Sequence, residues 1–167
     1  MAPTTISPPD RPQPGDMAPD FSLPTDTEGT ITLSQFRGSS VAIFFYPKDD
    51  TSGCTKEAIG FTDAKPQFDA ANTKLIGISV DSVKKHAKFR EKHGLKIALA
   101  ADEDKAVVAA YGVWVEKSMY GRKYMGIERS TFLIDGSGQV VKTWAKVKVP
   151  GHVDEVLAAA HDLLTAG

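Results

Sequence analysis

The sequence predicts an α/β domain of three layers, built around a central mixed sheet. Two observations indicate this class. Apolar runs of strand length alternate with helical patterns, and the chain then closes with a hairpin and an amphipathic helix. The 167 residues are enough for one domain with a substantial core.

Two strands of the predicted sheet are nearly continuous apolar runs, VAIFFYP at 41–47 and KLIGISVD at 74–81. Such runs are typical of central strands that are covered on both faces. A polar helix at 82–93, ended by Gly94, leads to a short strand at 97–102. Because crossover connections are right-handed, we expect the first two strands to be parallel neighbours.

A helix is predicted for residues 53–68, between the first two strands of the sheet. Cys54, Ala58 and Phe61 are spaced so that they share one face of this helix. We expect Pro66 to kink or end the helix, because proline lacks the amide hydrogen and its ring clashes with the preceding turn.

Turn signals near both ends of the chain indicate two hairpins, the second of them around Gly136-Ser137-Gly138. The full order fits a thioredoxin-like three-layer fold with a central mixed sheet and an N-terminal hairpin extension. The elements not yet named are the N-terminal hairpin at 20–36, a helix at 104–111, hairpin strands at 130–135 and 140–147, and a last helix at 153–164.

The composition excludes several functional classes. A formal net charge of −1 gives no basic field for nucleic acid or an anionic membrane, and no apolar run approaches the roughly 20 residues that span a bilayer. The first 15 residues contain five prolines and lack the apolar segment of a secretory signal. We interpret residues 1–15 as a flexible Pro-rich arm, with a docking ligand as the alternative, before a domain at 16–167.

Cys54 is the only cysteine of the chain, which excludes an intrachain disulfide. A cysteine-based zinc site needs several ligands, so we expect neither a metal nor an organic cofactor. A lone thiol without an export signal indicates a reducing compartment, hence the cytoplasm. Before its context is considered, an inert buried thiol is the simplest interpretation.

The context of Cys54 favours a reactive thiol instead. The cysteine follows the strand at 41–47 and lies in the first turn of the predicted helix. Ligands bind at the carboxyl ends of strands in parallel α/β sheets. The free amide groups and the positive dipole end of a first helical turn both favour a thiolate over a thiol.

The pattern Pro47-x-x-x-Thr51-x-x-Cys54 and the longer run FYPKDDTSGCTKEAIGFTD resemble the active site of the peroxiredoxin family. The runs GVWVEKSMYGRKYMGIERSTFLID and WAKVKVPGHVDEVL are similar to its bacterioferritin comigratory protein, or peroxiredoxin Q, branch. The similarity covers about residues 12 to 165.

This resemblance implies a thiol-dependent peroxidase that acts on hydrogen peroxide and organic hydroperoxides. It implies that Cys54 is the attacking nucleophile and that Thr51 hydrogen-bonds the peroxide. It also implies that Pro47 shields the thiolate and that Arg129 holds its guanidinium near the sulfur and the peroxide oxygens. Each role suits the chemistry, because a neutral peroxide needs a thiolate attacker and donors aimed at the breaking bond.

Structural interpretations of the same residues remain open. Thr51 can be only the residue before a helix, Pro47 the end of a strand, and Arg129 a surface charge. Glu57, three residues after Cys54, fits a capping box as well as it fits a partner for Arg129. Three aromatic residues either border the site or pack in the core: Trp114, Tyr120 and Tyr124. The scattered histidines are interpreted as surface or structural residues: His86, His93, His152 and His161.

The chain departs from the branch pattern at Ile59, where the usual relatives have a second cysteine. The cycle must then use one cysteine, with a sulfenic acid that an external thiol reduces. Thioredoxin, glutathione with glutaredoxin, or another small thiol are the candidates, and the resemblance suggests a monomer. The alternative function is a peroxide sensor that uses the same sulfenic acid. A papain-like hydrolase lacks a histidine in a pairing context, and a dithiol oxidoreductase lacks C-x-x-C.

Overall fold

A computed structural model of the chain describes residues 11–166. Its helices are α1 (Ser52–Ala70), α2 (Val83–His93), α3 (Ala106–Ala110) and α4 (His152–Ala166), with a short 3-10 helix at Leu33–Phe36. Its strands are β1 (Ser22–Pro24), β2 (Thr30–Thr32), β3 (Ser40–Phe45), β4 (Thr73–Ser79), β5 (Ala98–Ala101), β6 (Trp114–Met119), β7 (Arg122–Ile127), β8 (Ser130–Ile134) and β9 (Val140–Trp144).

The central sheet has five strands in the order β5-β4-β3-β8-β9. The strands β3, β4 and β5 run parallel, whereas β8 is antiparallel to β3 and to β9. Helices α1, α2 and α4 cover one face, and α3 with the β1–β2 hairpin covers the other. The predicted three-layer fold with a mixed sheet and parallel β3 and β4 is therefore confirmed.

Strand β3 is the centre of the fold because both of its faces are buried. Val41, Ile43 and Phe45 enter the core beneath α3, whereas Ala42 and Phe44 enter the core beneath α1. This explains why the strand has no polar alternation in its sequence. The carboxyl end of β3 therefore leads into the next loop from a fixed position.

The predicted boundaries of α2 are confirmed by its caps. The Ser82 side chain accepts a hydrogen bond from the Lys85 amide at 3.1 Å, and Gly94 ends the helix in the left-handed conformation with φ of 64°. The antiparallel hairpins β1–β2 and β8–β9 are also found where the turn signals predict them.

The hairpin β6–β7 was not predicted, and the pattern explains why. Its turn is Tyr120-Gly121, with φ of 53° and 77°, and tyrosine is not a usual residue at positive φ. Much of the hairpin is exposed on both faces, so its sequence carries no strict alternation of apolar and polar residues.

Of the two predicted effects of Pro66, the end of α1 was wrong, because the helix continues to Ala70, whereas the kink stays a prediction. Proline cannot donate to the carbonyl of Thr62, one turn earlier. Phe61 and Phe68 are fully buried on either side of it, and this packing holds the helix together across the missing hydrogen bond.

The beginning of the predicted Pro-rich arm, residues 1–10, lies outside the described residues. Arg11, which belongs to the same stretch, donates to the Gly112 carbonyl at 2.9 Å and forms an ion pair with Glu128 at 2.7 Å. The extent of the arm stays a prediction. No helix within residues 11–166 is both long and apolar enough to cross a bilayer.

We expect Gly77→Ala to destabilise the protein, because Gly77 in β4 leaves room for the ring of Phe44. A methyl group there would lie 2.6 Å from Phe44 Cζ, and that ring stacks on Phe61 at 4.7 Å between centroids. The expected loss in the free energy of unfolding is about 1–3 kcal/mol, measured by urea denaturation. Phe44→Leu combined with Gly77→Ala should cost less than the two single changes added together. A loss within experimental error for the single variant would contradict this packing argument.

Candidate active site

Cys54 occupies the first turn of α1, as predicted. The helix begins after Thr51, whose backbone is extended with φ of −88° and ψ of 158°. The cysteine is 1% exposed and packs in the same apolar cluster as Ala58 and Phe61. The predicted common face of these three residues is therefore confirmed.

The side chain of Arg129 joins the sulfur to a buried carboxylate. Its Nη2 donates to Cys54 Sγ at 3.2 Å, and its Nη1 donates to Glu57 Oε1 at 2.6 Å. A methyl group on Gly53 would lie 3.1 Å from Nη2, so glycine there lets the guanidinium lie close to the helix. The Arg129 carbonyl accepts from the Val147 amide at 2.9 Å, which fixes the backbone that carries the guanidinium.

Burial strongly affects the pKa values of Glu57 and Arg129. Glu57 has 0% exposure, and its Oε2 has no hydrogen-bond partner within the described residues. Burial raises the pKa of Glu57 to about 7, although the charge and hydrogen bond of Arg129 act in the opposite direction. Burial disfavours the charge of Arg129 as well, but Glu57 and Cys54 outweigh it and raise the pKa of that guanidinium.

Glu57 is thus a partner of Arg129, which decides between the two interpretations left open by the sequence. The Thr51 side chain makes no capping hydrogen bond to α1, so no capping box is present at the beginning of this helix. The surface-charge interpretation of Arg129 is also excluded, because the side chain is only 16% exposed.

Thr51 and Pro47 flank the same loop but do not contact the sulfur through a hydrogen bond in the described structure. The Thr51 side chain is exposed, and its hydroxyl donates to the Lys48 carbonyl at 2.9 Å. The hydroxyl proton of Thr51 is therefore already donated, and the hydroxyl oxygen can still accept a hydrogen bond. Pro47 is half-buried and follows directly after the last residues of the central strand.

A buried polar network supports the loop from beneath. The Tyr46 hydroxyl donates to Asp49 Oδ1 at 2.6 Å, and Asp49 Oδ2 lies 2.7 Å from His86 Nδ1. His86 Nε2 lies 3.0 Å from the Ala100 carbonyl, so both ring nitrogens face oxygen atoms. The Asp49 amide donates to Asp81 at 2.8 Å. Burial, followed by the charge of Asp49, raises the pKa of Tyr46 well above its usual value.

The predicted surface or structural roles of the histidines agree with their positions. His86 is buried in this network, and His152 is buried beside Thr131, with 2.8 Å between Nε2 and Oγ1. The pKa of His152 is lowered to about 4, chiefly by burial; the charge of Glu155 opposes this shift and that of Arg129 adds to it. The other two histidines are half-buried or exposed: His93 and His161.

The β6–β7 hairpin carries a lysine whose pKa responds to the charges of the site, and sequence reasoning missed it. Lys117 is half-buried, and its neighbours Glu116 and Ser118 are exposed. Its aliphatic stem lies beside Gly126, where an added methyl group would be 3.3 Å from Lys117 Cδ. Burial and then Arg129 lower the pKa of Lys117, while Cys54 and Glu128 act to raise it. The only signal that could have found this lysine is the hairpin pairing itself, which sets Lys117 opposite Tyr124.

The three aromatic residues lie in different surroundings. Trp114 packs against the core, whereas Tyr120 is 97% exposed at the hairpin turn and Tyr124 is exposed on β7. Within the described residues, no cluster of three or more histidine, cysteine or acidic side chains is arranged to hold a metal ion.

Comparison with known proteins agrees with this geometry. Residues 14–143 match the model of the AhpC/TSA family. Peroxiredoxin Bcp of Bacillus subtilis is 46% identical over 149 residues, which are 89% of this chain and 95% of that protein. Peroxiredoxin Bcp of Xanthomonas campestris is 49% identical over 141 residues, 83% of this chain and 88% of that protein.

Solved structures give the same result. The Xanthomonas campestris bacterioferritin comigratory protein, studied for alkyl peroxide reduction, superposes with a TM-score of 0.82 at 45% identity, over 86% of this chain and 92% of that one. BcpB of Mycobacterium tuberculosis gives a TM-score of 0.81 at 34% identity, over 92% and 99% of the two chains. The chain therefore belongs to the AhpC/TSA family, as a one-cysteine variant of the Bcp or peroxiredoxin Q branch.

Proposed function

We propose that this protein reduces hydrogen peroxide and organic hydroperoxides to water and alcohols through a sulfenic acid at Cys54. The observation that carries the proposal is the 3.2 Å hydrogen bond from Arg129 to the sulfur of the only thiol in the chain. A permanently charged guanidinium at this place offers a donor both to the sulfur and to the oxygens of a peroxide that approaches it. The alkyl peroxide reduction studied in the Xanthomonas campestris relative supports organic hydroperoxides as substrates.

The first half of the cycle is a two-electron oxidation of sulfur. The thiolate of Cys54 attacks one peroxide oxygen, an S–O bond forms, the O–O bond breaks, and the leaving oxygen takes a proton to become water or alcohol. Arg129 stabilises the charge that develops on the oxygens. Since the Thr51 proton is bound to the Lys48 carbonyl, Thr51 acts as an acceptor for the O–H of the peroxide. Pro47 shields the thiolate from bulk water.

The second half of the cycle depends on an external thiol, because Cys54 is the only cysteine of the chain. The reductant attacks the sulfenic sulfur and releases water, and a second thiol then frees Cys54 from the mixed disulfide. Thioredoxin, or glutathione with glutaredoxin, has the required chemistry. A single reduced thiol suits the cytoplasm. The reaction needs no metal or organic cofactor, and we infer that the protein acts as a monomer.

Trapping of the sulfenic acid tests this function directly. One equivalent of hydrogen peroxide should consume the Cys54 thiol and leave an adduct with a sulfenate-specific trap, detected by intact-mass spectrometry. Cys54→Ser should give no adduct. Excess peroxide without reductant should add further single oxygens, since no internal thiol intercepts the sulfenic acid. A thiol that persists would contradict a peroxidase, and rapid oxidation without turnover by any reductant would favour the sensor.

Acidity alone does not make a thiol a fast peroxidase. Lowering any thiol's pKa from about 8.5 to about 6 raises its thiolate fraction at neutral pH about 30-fold. Nucleophilicity then falls roughly 10-fold for a Brønsted slope of about 0.4–0.5, so the net gain is about 3-fold. Orientation and hydrogen bonds in the transition state must therefore supply most of the acceleration.

We expect Arg129→Ala to lower the rate constant for peroxide oxidation by about 100- to 1,000-fold per thiolate, because a transition-state donor is lost. Stopped-flow oxidation gives the rate, and ultraviolet thiolate absorbance across pH gives the thiolate fraction used to normalise it. Arg122→Ala, on the exposed part of β7, removes the same charge and should be nearly neutral. Equal rates per thiolate in wild type and Arg129→Ala would refute the role of the guanidinium.

The raised pKa of Glu57 predicts a specific pH dependence of stability. Between the usual value of about 4.5 and about 7, the folded protein keeps a proton that the unfolded chain has lost, so stability falls as pH rises through this window. Wild type should lose up to about 3 kcal/mol more than Glu57→Gln between its acidic and alkaline limits, measured by urea unfolding. Glu91→Gln, an exposed control, should follow wild type. Parallel pH profiles for wild type and Glu57→Gln would show that burial does not control this carboxylate.

A further inference from the structure

We propose that a lysine-rich cavity beside the active-site loop binds the carboxylates of a small anionic thiol, and that this thiol is the reductant of Cys54. The inference rests on the proposed one-cysteine cycle. The cavity, here called the basic pocket, has a volume of about 370 Å³ and lies between loop 48–50 and helix α2, above the ring of Phe89. Its four cationic side chains are Lys48, Lys85, Lys88 and Lys92.

Two of the three carboxylates at the basic pocket are already satisfied from within the protein. Asp49 accepts from Tyr46 at 2.6 Å and pairs with His86 at 2.7 Å. Asp81 accepts from the Asp49 amide at 2.8 Å and from the Ser79 hydroxyl at 2.7 Å. Both aspartates are buried and accept these hydrogen bonds from within the protein, and Asp81 meets a pocket lysine only at 3.9 Å.

The third carboxylate, Asp50, forms an ion pair with only one of the four lysines. It pairs with His93 and Lys92, each at 2.8 Å, and these two partners lower the pKa of Asp50. Lys85 approaches Asp81 only to 3.9 Å and is 61% exposed. Within residues 11–166, Lys48 and Lys88 form no ion pair.

The basic pocket is a local concentration of charge on a chain that is nearly neutral overall. The net charge is −1, yet helix α2 has five lysine or arginine residues against the single acid Glu91. Of the charged residues that line the cavity, Asp49 and Asp81 are buried, so four lysines against Asp50 are exposed at its surface. This excess of positive charge attracts an anion and raises its local concentration. The complementary ligand is therefore an anion, and carboxylates are the anionic groups that a peptide thiol carries.

The position of the pocket connects this anion to the sulfur. Lys48 and Asp50 line the pocket and belong to the loop that ends at Thr51, whose hydroxyl donates to the Lys48 carbonyl at 2.9 Å. Cys54 follows within the first turn of α1. A thiol held by its carboxylates in the pocket is thus brought to the loop from which the sulfenic acid is reached.

The size of the basic pocket favours a small molecule over a protein. Cavities of roughly 300–1,000 Å³ bind small ligands, whereas protein partners need broad surfaces. The bound thiol attacks the sulfenic sulfur, an S–S bond forms, the S–O bond breaks, and the hydroxyl leaves as water with the proton of the thiol. A second thiol then reduces the mixed disulfide.

The test compares glutathione with its diethyl ester, which has the same thiol without the two carboxylate charges. Pre-formed sulfenic acid is mixed with each thiol, and each rate is divided by the rate of that thiol with a small aryl disulfide. Wild type should favour glutathione over the ester, and this preference should fall about fivefold in the double variant Lys85→Gln with Lys88→Gln. The control is Lys65→Gln with Lys74→Gln, which removes equal charge from residues paired elsewhere with Asp69 and Glu28, and it should keep the preference.

The same experiment separates this inference from the proposed function. Sulfenic acid formation by peroxide should be unchanged in the double variant, since neither lysine belongs to the site around Cys54. If sulfenic acid forms normally but the preference for glutathione is absent or unaffected, the basic pocket is not the thiol site. If the double variant slows a protein reductant and not glutathione, the small-thiol assignment is overturned. If no sulfenic acid forms in wild type, the proposed function itself fails.

Discussion

The structure of this site depends on the guanidinium of Arg129, which is held between two hydrogen-bond acceptors, a carboxylate and a sulfur. Arg129 donates to the buried carboxylate of Glu57 and to the sulfur of Cys54. A carboxylate without solvent is unfavourable, and the arginine offsets part of that cost. The same bond fixes the arginine, because the planar fork of donors can satisfy both partners in only a narrow range of orientations. The charge beside the sulfur is therefore organised before any peroxide arrives.

The elements that meet at this pair come from distant parts of the chain, and the fold explains their meeting. Strand β3 is covered on both faces, so the loop after it begins from a fixed edge of the sheet. The network under Asp49 then holds that loop, and α1 starts directly after it. Strand β8 pairs with β3, which brings the preceding Arg129 back over the first turn of α1. A defect in core packing at β3 would consequently move both halves of the site.

Local signals in the sequence predicted most of the elements but not the contacts between them. The apolar runs of β3 and β4 and the spacing of Cys54, Ala58 and Phe61 predicted the sheet and the active-site helix. Glu57 and Arg129 are 72 residues apart, and no periodicity links them. The β6–β7 hairpin was not predicted because its stability comes from the pairing of its two strands and not from a buried face. The predicted end of α1 at Pro66 was wrong because the local effect of proline on the helix is weaker than the packing of the aromatic residues around it.

Oxidation and reduction make different demands on a sulfur that is 1% exposed. A peroxide needs only its two bonded oxygens to approach the sulfur, where Arg129 already supplies a donor at 3.2 Å. A reducing thiol must bring a larger sulfur atom in line with the S–O bond, so the loop and the first turn of α1 have to open further for it. The chain itself offers no attacking thiol for this step, because Cys54 is its only cysteine. The step that replaces the missing thiol therefore requires the reductant to remain near the loop until it opens. A site that holds the reductant by its charges, away from the sulfur itself, meets that requirement without exposing the thiolate to water.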